Sequence, residues 1–203
     1  KNHSIETDLI NRVYDEWNSY FSSDSKMDFI FDEEKQDGYF PYLTENAKGS
    51  ASKDLKEFYH IYPWGRIPDI IGSSTMTLYN QLTEVASTLL GWIESCAPTS
   101  VTKLFSISLK NMIKDSRLNL FRVIHYPPMI GNEEQGAIRA APHEDINLLT
   151  VLVAGSQPGL QVLDMNGKWH NVSTDKNTIV VNSGDMLKMA SRNYYPSTTH
   201  RVV

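Results

Sequence analysis

His143, Glu144 and Asp145 stand at the head of a short apolar run, "HEDINLLTVLVAG". In an extended segment residues i and i+2 point to the same side. His143 and Asp145 would therefore aim an imidazole and a carboxylate at one point, with Glu144 turned away. Two ligands do not hold an ion. His200, preceded by the polar "PSTT" on the last predicted strand, offers a second imidazole. Two histidines and one carboxylate on one face of an octahedral ion leave three positions open, an arrangement suited to ferrous iron and O₂ chemistry. Zinc competes for such a set, because N/O sites normally bind it more tightly than Fe(II). An H-x-D pair taken alone also arises by chance, as the polar edge of a strand. His3, His60, His125 and His170 are read as surface or hydrogen-bonded residues rather than ligands.

The elements that must position these groups divide the chain by period. Ile5, Leu9, Val13, Trp17 and Tyr20 recur at helical spacing, with Ser4 placed to cap the first turn. From Ser22 to Asp69 the pattern breaks into loops and short strands, too aromatic for a disordered linker. Tyr79, Leu82, Ala86, Leu89 and Ile93 then step as an amphipathic helix, and a shorter helix is expected around Thr102–Met112. After Ser116 the period changes. "LNLFRVIHY", "AIRAA", "INLLTVLVA", "GLQVLD", "TIVVNSG", "DMLKMAS" and "TTHRVV" are short and β-rich, separated by turns such as "SQPG" and "MNGK". Helices first and a β-sandwich or barrel second predict an α+β fold, a single domain over 1–203 with a helical, loop-rich part at 1–115 and a β core at 116–203.

Composition narrows the partners. The net charge is 19 − 24 = −5, with no basic block, so a nucleic-acid partner has no electrostatic footprint. No run reaches the ~18 apolar residues of a membrane span. Cys96 is the one cysteine, which excludes an intrachain disulfide, fits a reducing cytoplasm, and is expected in the core on an apolar helical face. The chain opens at "KNHSI" without a methionine and stops within a predicted strand, so both ends read as cut. Oligomeric state is not legible.

The blocks "RVIHYPP", "HEDINLLTVL", "GLQVLDMNGKWHNV", "TIVVNSGDMLKMAS" and "STTHRVV" follow one another as in the Fe(II)/2-oxoglutarate-dependent oxygenases of the isopenicillin N synthase-like branch, which the chain resembles. "NHSI" and "DLKE" in the N-terminal half are similar to that family more loosely. The resemblance implies a double-stranded β-helix (jelly roll) with helices packed on one sheet. It implies Fe(II), 2-oxoglutarate and O₂ as the reactants at the site, with His143, Asp145 and His200 as the metal ligands. Tyr126 matches the tyrosine that hydrogen-bonds the 2-oxoglutarate carboxylate. Arg139, just upstream of the ligand strand, is a candidate for an anionic group of the substrate. Asn182, Ser183, Gly184 and Asp185 match a turn before the penultimate strand and are read as architecture. The implied reaction is oxidation, usually hydroxylation, of an unactivated C–H bond of a small molecule such as an amino acid or secondary metabolite. The aromatic loops over Tyr39–Trp64 are the expected seat of specificity.

One departure bears on the cosubstrate. The family's 2-oxoglutarate users carry an Arg-x-Ser roughly ten residues past the distal histidine, where the arginine pairs with the distal carboxylate. The sequence stops three residues after His200. An iron oxidase of the same fold without 2-oxoglutarate, and a non-catalytic jelly-roll binding module, therefore stand as alternatives.

Overall fold

In the computed structural model, which describes residues 3–46, 52–175 and 178–203, the first apolar stripe forms α1 (Thr7–Phe21) and buries Ile10, Val13, Trp17, Tyr20 and Phe21. Ser4 does not cap it. Glu6 holds the N-cap position without a side-chain bond, and its carbonyl accepts the Leu9 N–H at 3.1 Å. The Asn2 of "NHSI" lies outside the described residues.

The chain forms two compact units that interleave along the sequence. One takes in residues 5–79 and 117–141 and the other chiefly 80–116 and 142–201. In the first, α1 is followed by a short 3-10 helix (Asp24–Phe29) and by β1 (Gly38–Phe40), β2 (Glu57–Ile61) and β3 (Phe121–His125). These strands make one antiparallel sheet in the order β1-β2-β3. The parts expected at 1–115 and 116–203 thus share a sheet. The core of this unit is aromatic: the Trp17 ring lies 5.2 Å from Tyr20 and 5.1 Å from Tyr59. The indole N–H donates to Thr75 Oγ1 at 2.9 Å, so its polar end is satisfied. Tyr39, Phe58 and Tyr59 are fully enclosed here. They serve the core, whereas Tyr42 and Trp64 of the same stretch remain exposed.

In the second unit, α2 (Ser74–Cys96) contributes most of its length. The single helix expected over Thr102–Met112 is two: α3 (Thr99–Thr102) and α4 (Leu109–Ile113). Ser108 takes extended backbone, and the chain re-enters a helix at Leu109, whose N–H donates to the Glu94 carboxylate at 2.7 Å. Leu90, Leu109, Leu148 and Leu187 form the core, with Ile93, Phe105, Met112 and Tyr195 against it. Around it lie β4 (Ala140–His143), β5 (Leu149–Val153), β6 (Leu160–Leu163), β7 (Trp169–Asn171), β8 (Ile179–Ser183) and β9 (His200–Val202). They form a sheet of order β4-β9-β6-β7 and an antiparallel pair β5·β8. The "MNGK" turn joins β6 to β7, with Gly167 at φ 78°.

Two further expectations fail in this unit. "DMLKMAS" is not a strand but α5 (Asp185–Ala190). Its residues are good helix formers, and Asp185 in the first turn complements the helix dipole. Leu187 alone among the six is fully buried, so the stretch has no alternating face to offer a sheet. Cys96 is exposed at the end of α2 rather than in the core. Sheets and helices together make the fold α+β. Among the described residues no helix is long and apolar enough to cross a membrane.

Candidate metal centre

His143 is the last residue of β4, and Asp145 lies two residues past the strand end. The same-side placement expected of a strand nevertheless holds: Asp145 Oδ1 is 3.9 Å from His143 Nε2 and 3.8 Å from His200 Nε2. β9 neighbours β4 in the sheet and brings His200 alongside, with the two imidazole centroids 4.3 Å apart. The three donor atoms all lie within 4.8 Å of one another, and among the described residues they form the group that could hold a metal ion. Donors that share one ion at roughly 2.0–2.2 Å lie at most about 4.4 Å apart, and both carboxylate–imidazole separations meet that limit.

What keeps Asp145 beyond the strand is the start of α5. The Asp185 N–H donates to the Asp145 carbonyl at 2.7 Å, and the Met186 N–H donates to the carbonyls of Ile146 and Asn147 at 3.2 and 3.1 Å. Gly184 lies so close to this segment that a Cβ there would sit 2.6 Å from the Asp145 carbonyl oxygen. The glycine expected as part of a turn is needed for this approach.

The carboxylate is held by its other oxygen. Thr150 Oγ1 donates to Asp145 Oδ2 at 2.5 Å and Asn182 Nδ2 donates to it at 2.8 Å. Thr150 and Asn182 face each other in the β5·β8 register. Asn182 therefore lies in a strand, and its amide serves the site. Burial works to raise the Asp145 pKa, but these two hydrogen bonds and the neighbouring His200 and His143 outweigh it and hold the carboxyl below its ordinary range. His200 Nδ1 donates to the Thr198 carbonyl at 2.9 Å, which assigns its proton and leaves Nε2 to present a lone pair. Glu144 faces away, accepting from Thr199 Oγ1 at 3.0 Å and pairing with Lys188 at 3.3 Å.

Three of the other four histidines are hydrogen-bonded as expected, whereas both ring nitrogens of His3 are buried without a hydrogen-bond partner. His60 Nε2 accepts from Arg122, His125 pairs with Glu57, and His170 pairs with Asp164. Tyr126 and Arg139 belong to the first unit, where the Arg139 guanidinium lies 5.9 Å from the Tyr126 ring and donates to the Pro127 carbonyl at 3.1 Å. In the same unit the Asp54 carboxylate of "DLKE" accepts the Ala141 N–H at 3.0 Å and pairs with Lys56 at 2.8 Å. That stretch thus ties down the chain just upstream of His143. Thr150, Thr198 and the amide of Asn182 were not legible as site residues. The only signal was period: Thr150 is a polar interruption in "NLLTVLV".

Residues 118–203 match the 2OG-Fe(II) oxygenase superfamily. The chain is 27% identical over 220 residues to a leucoanthocyanidin dioxygenase of Malus domestica, covering 98% of this chain and 58% of that relative. Its fold matches a crystal structure from Shewanella oneidensis, designated a candidate oxygenase, with TM-score 0.88 and 48% identity over all of this chain and 72% of that one. It also matches full-length Neurospora crassa T7H, solved in complex with alpha-KG, with TM-score 0.78 and 25% identity over all of this chain and 67% of that one. The chain belongs to the 2OG-Fe(II) oxygenase superfamily, as the sequence blocks led us to expect. It spans 58% and 57% of the two leucoanthocyanidin dioxygenases it matches.

Proposed function

We propose that this chain is an Fe(II)- and 2-oxoglutarate-dependent dioxygenase that hydroxylates or otherwise oxidises an unactivated C–H bond of a small molecule, such as an amino acid or secondary metabolite. The observation that carries the reading is a carboxylate anchored through one oxygen while its other oxygen faces two imidazoles at 3.8 and 3.9 Å. When bound, Fe(II) would bind and activate O₂, the oxidant, and 2-oxoglutarate would supply two of the electrons that reduce it, the substrate C–H bond supplying the other two.

The chain's own residues have narrower tasks. His143, Asp145 and His200 would hold the ion by one face and leave the rest of its sphere open. Tyr126 is assigned to donate a hydrogen bond to a 2-oxoglutarate carboxylate. Burial pushes its phenol up to about 12, so it stays protonated and able to donate at neutral pH. Arg139 is the cation assigned to an anionic group of the substrate. Residues 1–203 are read as one oxygenase domain built on a double-stranded β-helix, with β4-β9-β6-β7 and β5·β8 supplying its strands.

The test is anaerobic addition of Fe(II) and then 2-oxoglutarate, followed by admission of O₂. A visible charge-transfer band on adding 2-oxoglutarate, and succinate on adding O₂, are expected. Iron binding without band or succinate would instead point to an iron enzyme of this fold that does not use 2-oxoglutarate.

A further inference from the structure

We propose that Thr150 and Asn182 are positioning residues that make Asp145 a one-oxygen ligand, presenting Oδ1 to the metal and withholding Oδ2. The inference rests on the metal-centre reading above and concerns how that centre stays open.

A free carboxylate can close on an ion with both oxygens, taking two coordination positions instead of one. On a site with three protein donors, the second oxygen would occupy a position that a reactant needs. In this chain both strong donors to Asp145 converge on Oδ2, at 2.5 Å from Thr150 Oγ1 and 2.8 Å from Asn182 Nδ2. For Oδ2 to swing onto an ion, both bonds would have to break.

The direction of the threonine bond is also set. Asn147 Nδ2 donates to Thr150 Oγ1 at 2.8 Å, so the hydroxyl accepts there and its own hydrogen goes to Asp145. The relay Asn147 to Thr150 to Asp145 is built on rigid parts. Thr150 and Asn182 are cross-strand partners in an antiparallel pair, and Asn147 is tied through its carbonyl to the Met186 N–H at 3.1 Å. Hydrogen bonds of this kind behind a ligand typically set metal affinity by 10- to 100-fold.

The experiment uses the full chain loaded with Mn(II), a probe that reports by its electron paramagnetic resonance without turnover. Thr150→Val removes the hydroxyl at nearly constant shape; Thr150→Ser restores it. The expected result is about 10- to 100-fold weaker Mn(II) binding in Thr150→Val and in Asn182→Leu, with Thr150→Ser close to the parent chain. A purely structural role would not separate Val from Ser in this way. Should Thr150→Val fail to fold, the Mn(II)-loaded parent chain decides by its crystal structure: Asp145 bound through Oδ1 alone supports the proposal, and both oxygens on the metal overturn it. Unchanged affinity in folded Thr150→Val and Asn182→Leu also overturns it, while leaving the metal centre standing. A parent chain that takes up no Mn(II) removes the metal centre itself, and this proposal with it.

Discussion

Two of the places where the molecule sets a carboxylate against imidazole have opposite fates. Glu57, in the first unit, is 4% exposed and spends both oxygens: Oε1 accepts from His125 Nδ1 at 2.7 Å, while Oε2 accepts from Lys26 at 2.9 Å and from the Tyr39 hydroxyl. No ion-sized gap is left, and the lysine already neutralises the charge. Asp145, in the second unit, saturates one oxygen and turns the other toward two imidazoles that stop 3.8 and 3.9 Å away. Residue types are nearly the same. What separates a structural ion pair from a ligand set is whether one oxygen is kept out of hydrogen bonds and the imidazoles are held back by bonds of their own, as Thr198 holds His200.

The comparison breaks first at the ligands. His143→Ala, Asp145→Ala and His200→Ala should each abolish stoichiometric Fe(II) binding, read by anaerobic titration, with the fold retained by circular dichroism. Three donors are the minimum for a facial site, and these side chains sit on a partly exposed polar rim. A variant that kept full iron affinity would lose its place as a ligand.

Glu57 should fail differently, through stability. Replacing Glu57 by Gln leaves Lys26 facing a neutral group in a largely buried setting, which should cost about 3 kcal/mol by denaturant unfolding. Burial works to raise the Glu57 pKa, but the bonds from His125, Tyr39 and Lys26 outweigh it and bring the carboxyl to about 2 from its ordinary 4.5. With the folded value depressed, this stability is fully present above pH 4.5 and is lost as pH falls from there toward 2. Glu57→Gln should therefore flatten the acid limb of the stability profile. An acid limb unchanged from the parent would mean that Glu57 is not the group whose protonation is felt.

How much of this was legible follows from range. His143, Asp145 and His200 could be singled out as a candidate ligand set because metal ligation calls for particular residue types and two of them lie at strand spacing, and the fold brings their donor atoms within 4.8 Å of one another. The helices at Thr7–Phe21 and Ser74–Cys96 were legible because their apolar stripes repeat over several turns. α5 was not, since six residues carry too little period to separate helix from strand. Nor were Thr150 and Asn182: their role comes from a cross-strand register that brings residues 32 positions apart face to face. The aromatic stretch over Tyr39–Trp64 was ambiguous for the opposite reason. Aromatic residues serve cores and binding surfaces alike, and only the packing of Tyr39, Phe58 and Tyr59 on Trp17 and its neighbours decides between them.

Tyr126→Phe sharpens the comparison within the proposed chemistry. The variant keeps the ring and removes one donor to a charged carboxylate, a loss of roughly 1.5–3 kcal/mol, or about 10- to 100-fold in 2-oxoglutarate affinity. Iron affinity should hardly change. Titration of the charge-transfer band with 2-oxoglutarate reads both quantities. An unchanged 2-oxoglutarate constant would return Tyr126 to a packing role.

The smallest expected effect tests the point where architecture becomes chemistry. Gly184 has an ordinary backbone at φ −113°, so its need for glycine is one of space rather than conformation. A Cβ there would sit 2.6 Å from the Asp145 carbonyl oxygen and 2.6 Å from Asn147 Oδ1, and against the Asn147 carbonyl oxygen as well. Two of these three contacts are backbone, which cannot rotate away, so the segment carrying Asp145 must shift. Gly184→Ala should cost about 1–3 kcal/mol of stability, as overpacking does. It should also weaken Fe(II) binding, because the displaced atoms belong to Asp145 itself and to the Asn147 that orients Thr150. Glu57→Gln provides the control, since it lowers stability from the other unit without touching a ligand. If the two variants were equally destabilised and lost iron to the same degree, the iron loss would be a consequence of unfolding. If Gly184→Ala alone lost iron at matched stability, the close approach of Gly184 is what sets the aspartate.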